Sequence, residues 1–127
     1  MKIKLTSVFV DDQAKALKFY TEKLGFVVKN DIPMGEARWL TVVSPEAPDE
    51  AELLLEPNSN AAAKVYQEAL FKQGIPINAF AVDDIHGDFE TLRKRGVVFR
   101  SEPTSMGPTT VATLEDTCGN LIRLYQV

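Results

Sequence analysis

Histidine and cysteine, two residue types that often carry catalysis or bind transition metals, each occur once in this chain, at His86 and Cys118. His86 directly follows a predicted helix start at Asp84, so we expect a solvated residue of the first turn rather than a base or a metal ligand. A nucleophilic thiol needs a neighbouring base or cation. Since no histidine is expected near Cys118, we predict an inert or incidentally reactive surface thiol. A single cysteine also excludes an internal disulfide and a thiolate zinc cluster.

A carboxylate and a guanidinium stand at inward-facing positions of two predicted strands. In "AELLLEP" (51–57), period-two alternation leaves one set of side chains on the face that no helix covers: Glu52, Leu54 and Glu56. In "NLIRLYQ" (120–126), the same alternation leaves Leu121, Arg123 and Tyr125. Two interpretations stay open. Glu56 and Arg123 either pair or clamp a polar group of a ligand, or they lie in water at strand ends.

A repeated pattern predicts the elements that position these residues. In both "VFVDD" (8–12) and "FAVDD" (80–84), an apolar stretch leads into two aspartates whose carboxylates can cap a helix. The first copy continues with apolar residues at helical spacing and reaches Gly25, and the second does the same and reaches Gly96. Each copy therefore predicts a strand followed by a helix.

Three strand-like pieces follow each predicted helix. They are "FVVKND", "ARWLTVV" and "AELLLE" in the first half, and "VVFRSE", "TTVATLE" and "NLIRLYQV" in the second. Each half is therefore predicted to be βαβββ in an α+β fold. We interpret 1–127 as a single domain with module 1 at about 1–57, a helical connector at about 58–76 and module 2 at about 77–127. The connector helix is expected from about Ala61 to Lys72.

Two such modules have free sheet edges, and paired edge to edge they would form a cupped, half-open barrel around a cavity. Alternation along the strands predicts an apolar lining with a few polar tips. The same alternation places Thr41 and Ala79 on the face that no helix covers. The residues that we expect to bind a ligand are Leu5, Ser7, Phe9, Trp39, Leu54, Glu56, Ile77, Arg123 and Tyr125.

Composition restricts the classes of partner. The 127 residues are 45% hydrophobic and 25% charged, which suits a compact domain with a core. The net charge of −4 offers no cationic surface for nucleic acid or for an anionic membrane. The start "MKIKLTSVFVDD" lacks the apolar run of a signal peptide, and no apolar run is long enough to span a bilayer. We therefore expect a cytoplasmic protein.

Two stretches carry a resemblance to a known family. "VFVDDQAKALKFYTEKLGF" resembles the opening of the vicinal oxygen chelate superfamily, which includes glyoxalase I, bleomycin-resistance proteins, fosfomycin-resistance enzymes and extradiol dioxygenases. "RSEPTSMGPTTVATLEDTCGNLIRLYQ" resembles its second half, where a Pro, a Gly-containing loop and an Asp-x-x-Gly-Asn turn precede the last strand. Met106 replaces a frequent Trp, and Cys118 replaces a frequent Asp. The resemblance covers nearly the whole chain and implies the fold, which hosts several unrelated functions.

The resemblance also implies where a metal would bind. Enzymes of the family hold a divalent metal with His, Gln or Glu from four strands, and these positions align with Leu5, Leu54, Ile77 and Arg123. Hydrocarbon side chains offer no lone pairs to a metal, and a guanidinium repels it. We therefore predict that the chain binds no metal and needs no cofactor.

Three functions remain open. The favoured hypothesis is a metal-independent small-molecule binding protein, similar to the drug-sequestering members of the family, with an apolar or aromatic ligand in the cup. The second is an enzyme: a divergent metal-dependent lyase or extradiol-type dioxygenase, or a metal-free acid/base catalyst that uses Glu56 with Arg123 or Tyr125. The third is a regulatory or partner-binding module whose cup is filled by its own side chains. The resemblance further implies a homodimer.

Overall fold

The computed structural model describes residues 1–127, and the chain divides into two compact units, Met1–Val65 and Tyr66–Val127. Each unit contains one four-stranded sheet and follows the order βαβββ, so the predicted α+β fold class is confirmed. No helix of the fold combines the length and the apolar character that crossing a bilayer requires.

The first unit contains a mixed sheet whose strand order is β1-β4-β3-β2, with β1 parallel to β4 and the other neighbours antiparallel. Strand β1 begins at Leu5 and includes the apolar residues of "VFVDD" up to Val10. The elements are β1 (Leu5–Val10), α1 (Gln13–Lys18), a π-helical turn (Phe19–Lys23), β2 (Val27–Met34), β3 (Ala37–Val43) and β4 (Glu52–Pro57).

The first Asp-Asp pair caps a helix as predicted. The side chain of Asp12 accepts a hydrogen bond from the backbone N–H of Lys15 at 3.0 Å, which satisfies a donor of the first turn of α1. The predicted helix up to Gly25 continues as a wider π-helical turn, in which the N–H of Leu24 donates to the carbonyl of Phe19 at 3.2 Å. That turn buries Tyr20, whose ring stacks on the ring of Phe26 with their centroids 6.4 Å apart.

The second unit repeats this topology with the strand order β5-β8-β7-β6, and β5 is parallel to β8. The connector helix begins in the first unit and ends in the second, one residue beyond its predicted end. The elements are α2 (Ala61–Gln73), β5 (Asn78–Ala81), α3 (Ile85–Lys94), β6 (Phe99–Met106), β7 (Thr109–Glu115) and β8 (Leu121–Gln126).

Each sheet has a face toward its helix and a second face that we call the helix-free face. In the first unit, α1 packs on β3 and β4, and the buried helix-side residues are Val8, Val10, Leu40, Val42, Leu53 and Leu55. In the second unit, α3 packs on β6, β7 and β8 through Ile85, Phe89 and Leu92. Full burial of such a side chain contributes roughly 1.5–3 kcal/mol, so these faces hold the two cores.

The turn between β7 and β8 is a buried polar network. Asp116 accepts hydrogen bonds from the backbone N–H groups of Cys118 at 2.8 Å and of Asn120 at 3.0 Å. The side-chain amide of Gln67, on α2, donates to the carbonyl of Cys118 at 2.9 Å. Because these bonds fold the turn inward, Cys118 is 0% exposed, and the prediction of a surface thiol was wrong.

Candidate ligand-binding site

The helix-free face of the second unit is built around Arg123. In the strand ladder, Arg123 of β8 lies between Ala79 of β5 and Thr113 of β7. Directly paired residues point to the same side of a sheet, so all three side chains share the helix-free face. Tyr125, two positions along β8, pairs with Ala81 and Val111 on the same face. The alanines leave room on the edge-strand side of both larger side chains.

A cleft opens beside Arg123 in this unit. Its volume is about 460 Å³, and its lining is Gly74, Ile75, Pro76, Ile77, Asn78, Ala79 and Arg123. The segment between α2 and β5 therefore supplies most of the wall, and β8 supplies the cation. Apolar walls with one charged group are the usual composition of a small-molecule site.

Local sequence explains why the chain runs along this wall. Gly74 has φ +74°, a left-handed conformation that glycine adopts without steric penalty and that ends α2. The N–H of Ile75 then donates to the carbonyl of Leu70 at 2.9 Å. The N–H of Ile77 donates to the carbonyl of Leu121 at 2.9 Å, which attaches the segment to β8. The "GIP" stretch at 74–76 was the signal for this wall, although the sequence suggested only a connector there.

The guanidinium of Arg123 is incompletely paired. Its Nε atom is buried and has no hydrogen-bond partner. A buried donor without a partner destabilises a fold by roughly 1–3 kcal/mol, and a charged donor by more. The two residues next to Arg123 in the ladder, Ala79 and Thr113, carry no charge to balance it. The nearest acidic residue along β7, Glu115, accepts a hydrogen bond from Arg100 at 3.2 Å.

The helix-free face of the first unit carries a different polar group. The Oε1 atom of Glu52 accepts hydrogen bonds from the hydroxyl of Thr41 at 2.8 Å and from the amide of Asn30 at 3.0 Å. The amide of Asn30 also donates to the Thr41 hydroxyl at 3.1 Å. Alternation placed Glu52 and Thr41 on this face, whereas Asn30 was not predicted. The sequence offered little signal for it, because Asn30 is one of three consecutive polar residues in "FVVKND".

The other predicted ligand-binding residues of the first unit lie along the same face. Strand pairing sets Leu5 beside Glu52, Ser7 beside Leu54, and Phe9 beside Glu56. Leu54 is 5% exposed and Leu5 is 45% exposed. Trp39, two positions before Thr41 on β3, is half-buried, as are Phe9 and Glu56.

The three predicted residues of the second unit, Ile77, Arg123 and Tyr125, are half-buried. Ile77 and Arg123 come together in the cleft, whereas Tyr125 is not part of its lining. Glu56 belongs to the first unit and Arg123 to the second, and their pairing stays a prediction. Whether these residues bind a ligand also stays a prediction.

The positions where the family resemblance implies metal ligands do not fit a metal. In the first unit they carry the hydrocarbon side chains of Leu5 and Leu54. In the second unit they carry Ile77 and the cation of Arg123. Divalent metals need oxygen, nitrogen or sulfur donors, so none of the four side chains can coordinate one. The nearby carboxylate of Glu52 is already engaged by Thr41 and Asn30.

The prediction for His86 concerns an exposed residue. His86 is exposed at the second position of α3, as expected for a solvated first-turn residue. It does not line the cleft.

Comparisons with known proteins agree with this fold. The chain is 55% identical to "Uncharacterized protein YurT" of Bacillus subtilis (strain 168) over 126 residues, which are 99% of each chain. The crystal structure of UcmS2 superimposes with a TM-score of 0.85 at 32% identity and covers 98% of this chain and 97% of that one. TnmS3, an antibiotic binding protein from Streptomyces sp. CB03234, superimposes with a TM-score of 0.76 at 29% identity and covers 99% and 95%.

A family model matches residues 2–124, which is nearly the whole chain, and the match runs from before β1 into β8. The chain belongs to the Glyoxalase/Bleomycin resistance protein/Dioxygenase superfamily.

Proposed function

We propose that this protein binds a small apolar or aromatic molecule in the cleft beside Arg123, without the help of a metal. The observation that carries the proposal is the buried Nε atom of Arg123, which has no hydrogen-bond partner and lies on a residue that lines the cleft. A ligand that accepts a hydrogen bond from this atom offsets the free-energy cost of the unpaired buried donor.

The size and chemistry of the cleft support this function. Its volume of about 460 Å³ falls within the range of roughly 300–1,000 Å³ that is typical of small-molecule sites. Ile75, Pro76 and Ile77 provide apolar contact, and Arg123 and Asn78 provide polar contacts that can orient a ligand.

The similarity to TnmS3 adds support from outside the chain. That protein is described as an antibiotic binding protein, and its structure resembles this chain over nearly its whole length. Its identity of 29% leaves the ligand of this chain open. We therefore propose the class of function, ligand binding, and derive the ligand chemistry from the cleft itself.

We propose that binding is independent of a metal because Leu5, Leu54, Ile77 and Arg123 occupy the positions where the family's enzymes would coordinate one. The purified chain should carry no stoichiometric divalent metal. Addition of nickel, zinc, manganese or iron should leave the melting temperature unchanged. Elemental analysis that finds close to one metal ion per chain would contradict this part of the proposal.

We also propose a homodimer. Each sheet ends in edge strands, and exposed edges tend to be covered by pairing or by another chain. In the first unit, edge strand β2 carries the exposed apolar side chains of Ile32 and Met34, which are 52% and 59% exposed. Apolar residues on an edge strand favour contact with a second copy.

Binding can be tested with a neutral fluorescent probe, N-phenylnaphthylamine. The wild-type protein should bind it saturably at one site per chain. Ala79 is exposed and lines the cleft, so Ala79→Leu fills part of the space and should weaken binding about tenfold or more, or roughly 1.4 kcal/mol. Ala14→Leu, at an exposed position of α1, is the matched control and should leave binding unchanged. Absence of saturable binding to the wild type, or equal binding by Ala79→Leu, would count against the function.

A further inference from the structure

We infer that the ligand of this cleft is a carboxylic acid with a flat or compact hydrophobic body, held by the Nε edge of Arg123. The inference rests on the proposed function and names the class of ligand that the same cleft takes. It follows from which donor of Arg123 is unpaired and from what surrounds that donor.

The geometry of a guanidinium favours a ligand group with two acceptor oxygens, such as a carboxylate or a phosphate. The Nε–H and one Nη–H lie on one edge of the planar group and point in nearly parallel directions. A carboxylate presents two oxygens at a matching spacing, so it can accept both bonds at once. An alcohol, an amide carbonyl or a phenolate offers one oxygen and can accept only part of this pair. The buried Nε of Arg123 is a donor of this edge, and it lacks a partner.

The surroundings strengthen such a bond. Nε is already buried, so much of its desolvation has been incurred before the ligand arrives. Binding then requires the Arg123 side chain to turn its Nε edge toward the cleft that the residue lines. Ile75, Pro76 and Ile77 give the cleft an apolar wall, where a charge-assisted hydrogen bond is stronger than in water. No carboxylate competes at the neighbouring ladder positions, which hold Ala79 and Thr113.

The same wall determines the rest of the ligand. The side chains of Ile75, Pro76, Ile77 and Ala79 offer hydrocarbon contact without further cations. A second anionic group on the ligand would therefore lack a partner at this wall and would bear a desolvation cost. The structure assigns the cleft to a monocarboxylate whose remaining surface is mainly apolar.

The test is displacement of N-phenylnaphthylamine by three ligands that share one ring system: 2-naphthoate, the neutral 2-naphthamide and 2-naphthyl phosphate. The wild-type protein should bind 2-naphthoate about tenfold or more tightly than 2-naphthamide. Arg123→Met should remove that preference and leave the affinity for the amide nearly unchanged. Arg123→Lys keeps the charge but loses the two-donor edge, so it should retain only part of the preference.

The matched control is Arg93→Met, which removes the same charge from the exposed surface of α3 in the same unit. It should keep the full preference for 2-naphthoate. Three results would overturn the inference: equal affinity of the wild type for naphthoate and naphthamide, tighter binding of the phosphate than of the carboxylate, or a preference that survives in Arg123→Met. Failure of the proposed function gives a different result, in which the fluorescent probe does not bind to the wild type at all. In that case the inference about the carboxylate is also wrong.

Discussion

Arg123 differs from the other arginines of the chain in how its guanidinium is used. Arg38 forms two hydrogen bonds to Asp31, at 2.9 and 2.7 Å, on the surface of the first unit. Arg100 is bonded to Glu115 and lies over the ring of Phe71. Such exposed pairs contribute little to stability, about 0–1 kcal/mol. Arg123 instead lines a cleft and has a buried donor without a partner, which suits recognition better than stability.

Replacement of Arg123 should therefore not destabilise the ligand-free protein. Met has a similar length and no donor, so Arg123→Met removes the unpaired Nε and should leave the free energy of unfolding unchanged or raise it by up to about 1 kcal/mol. Urea unfolding of both proteins measures the difference. A loss of about 2 kcal/mol or more would indicate that Arg123 has a stabilising partner, such as the Glu56 carboxylate that the sequence suggested.

At the residue scale, the sequence predicted which face of a strand a side chain occupies. It placed Arg123, Thr41 and Glu52 on their faces because a strand turns successive side chains to opposite sides. It missed Asn30, whose role depends on the pairing of β2 with β3. It misjudged Cys118 because burial in a tight turn depends on a contact with α2, more than forty positions earlier in the chain.

At the scale of elements, the turn that leads into β8 sets the position of Arg123. Gln67 of α2 is buried and donates to both Cys118 and Asn120, at 2.9 and 3.1 Å. Gly119 has φ +96°, and a Cβ atom there would lie 2.8 Å from the Nε2 atom of Gln67. The turn therefore requires glycine for its backbone conformation and also for the approach of α2.

Gly119→Ala should consequently lower the free energy of unfolding by roughly 2–3 kcal/mol, from backbone strain and the loss of the Gln67 hydrogen bonds. Gly107→Ala is the control, because Gly107 has φ +61° but nothing within 4 Å of an added Cβ. It should lose only about 1 kcal/mol. Urea unfolding compares the two, and equal losses would show that the contact with Gln67 is unimportant.

Helix α3 makes a prediction about pH. Burial raises the pKa of the Asp88 carboxyl above 3.8, and the nearby charges of Asp84 and Asp83 raise it further, while Arg95 lowers it. The folded state then holds this proton more tightly than the unfolded state, so ionisation of Asp88 lowers stability as the pH rises through the folded pKa. Asp88→Asn removes this effect.

Asp88→Asn should therefore be more stable than the wild type at about pH 7, by less than about 1 kcal/mol because solvent screens the charge. The two proteins should be equally stable at about pH 3, below the unfolded pKa, where the wild-type carboxyl is protonated in both states. Thermal unfolding across this range measures the difference. A gain that is present at low pH and absent at neutral pH would have the wrong sign.

The sequence predicted the elements well because their ends are marked chemically. Asp12 and Asp84 cap α1 and α3, and Gly25 and Gly96 follow them with φ of +86° and +89°. The π-helical turn at Phe19–Lys23 was not predicted, because it differs from an α-helix only in that each hydrogen bond spans one residue more. The stripe of apolar residues in "KFYTEKLGF" fits either form.

At the scale of the whole molecule, the sequence pattern that occurs at 8–12 and again at 80–84 corresponds to a repeated topology. Each unit has a parallel pair between its first and last strands, β1 with β4 and β5 with β8, and an antiparallel edge strand, β2 or β6. This duplication follows from the sequence, whereas the homodimer was predicted only from the family resemblance.

For the assembly we expect a homodimer, with a mass by light scattering of about twice the 14.1 kDa of the chain at micromolar concentration. Ile32→Glu places a charge on the exposed side of edge strand β2, and should weaken the dimer if that strand contacts a second copy. Lys29→Glu, at an exposed position of the same strand, is the control. A monomer mass for the wild type over this range would contradict the expectation.

The central claim, that the cleft holds a ligand through Arg123, is tested most directly by the arginine side-chain region of a proton–nitrogen NMR spectrum during titration with 2-naphthoate. The Nε–H signal of Arg123 should shift on binding and exchange more slowly with water, because its missing hydrogen bond is formed. The signals of Arg93 and Arg100 should stay in place, since both side chains lie outside the lining of the cleft. Saturable binding of 2-naphthoate with an unchanged Arg123 signal would contradict the claim.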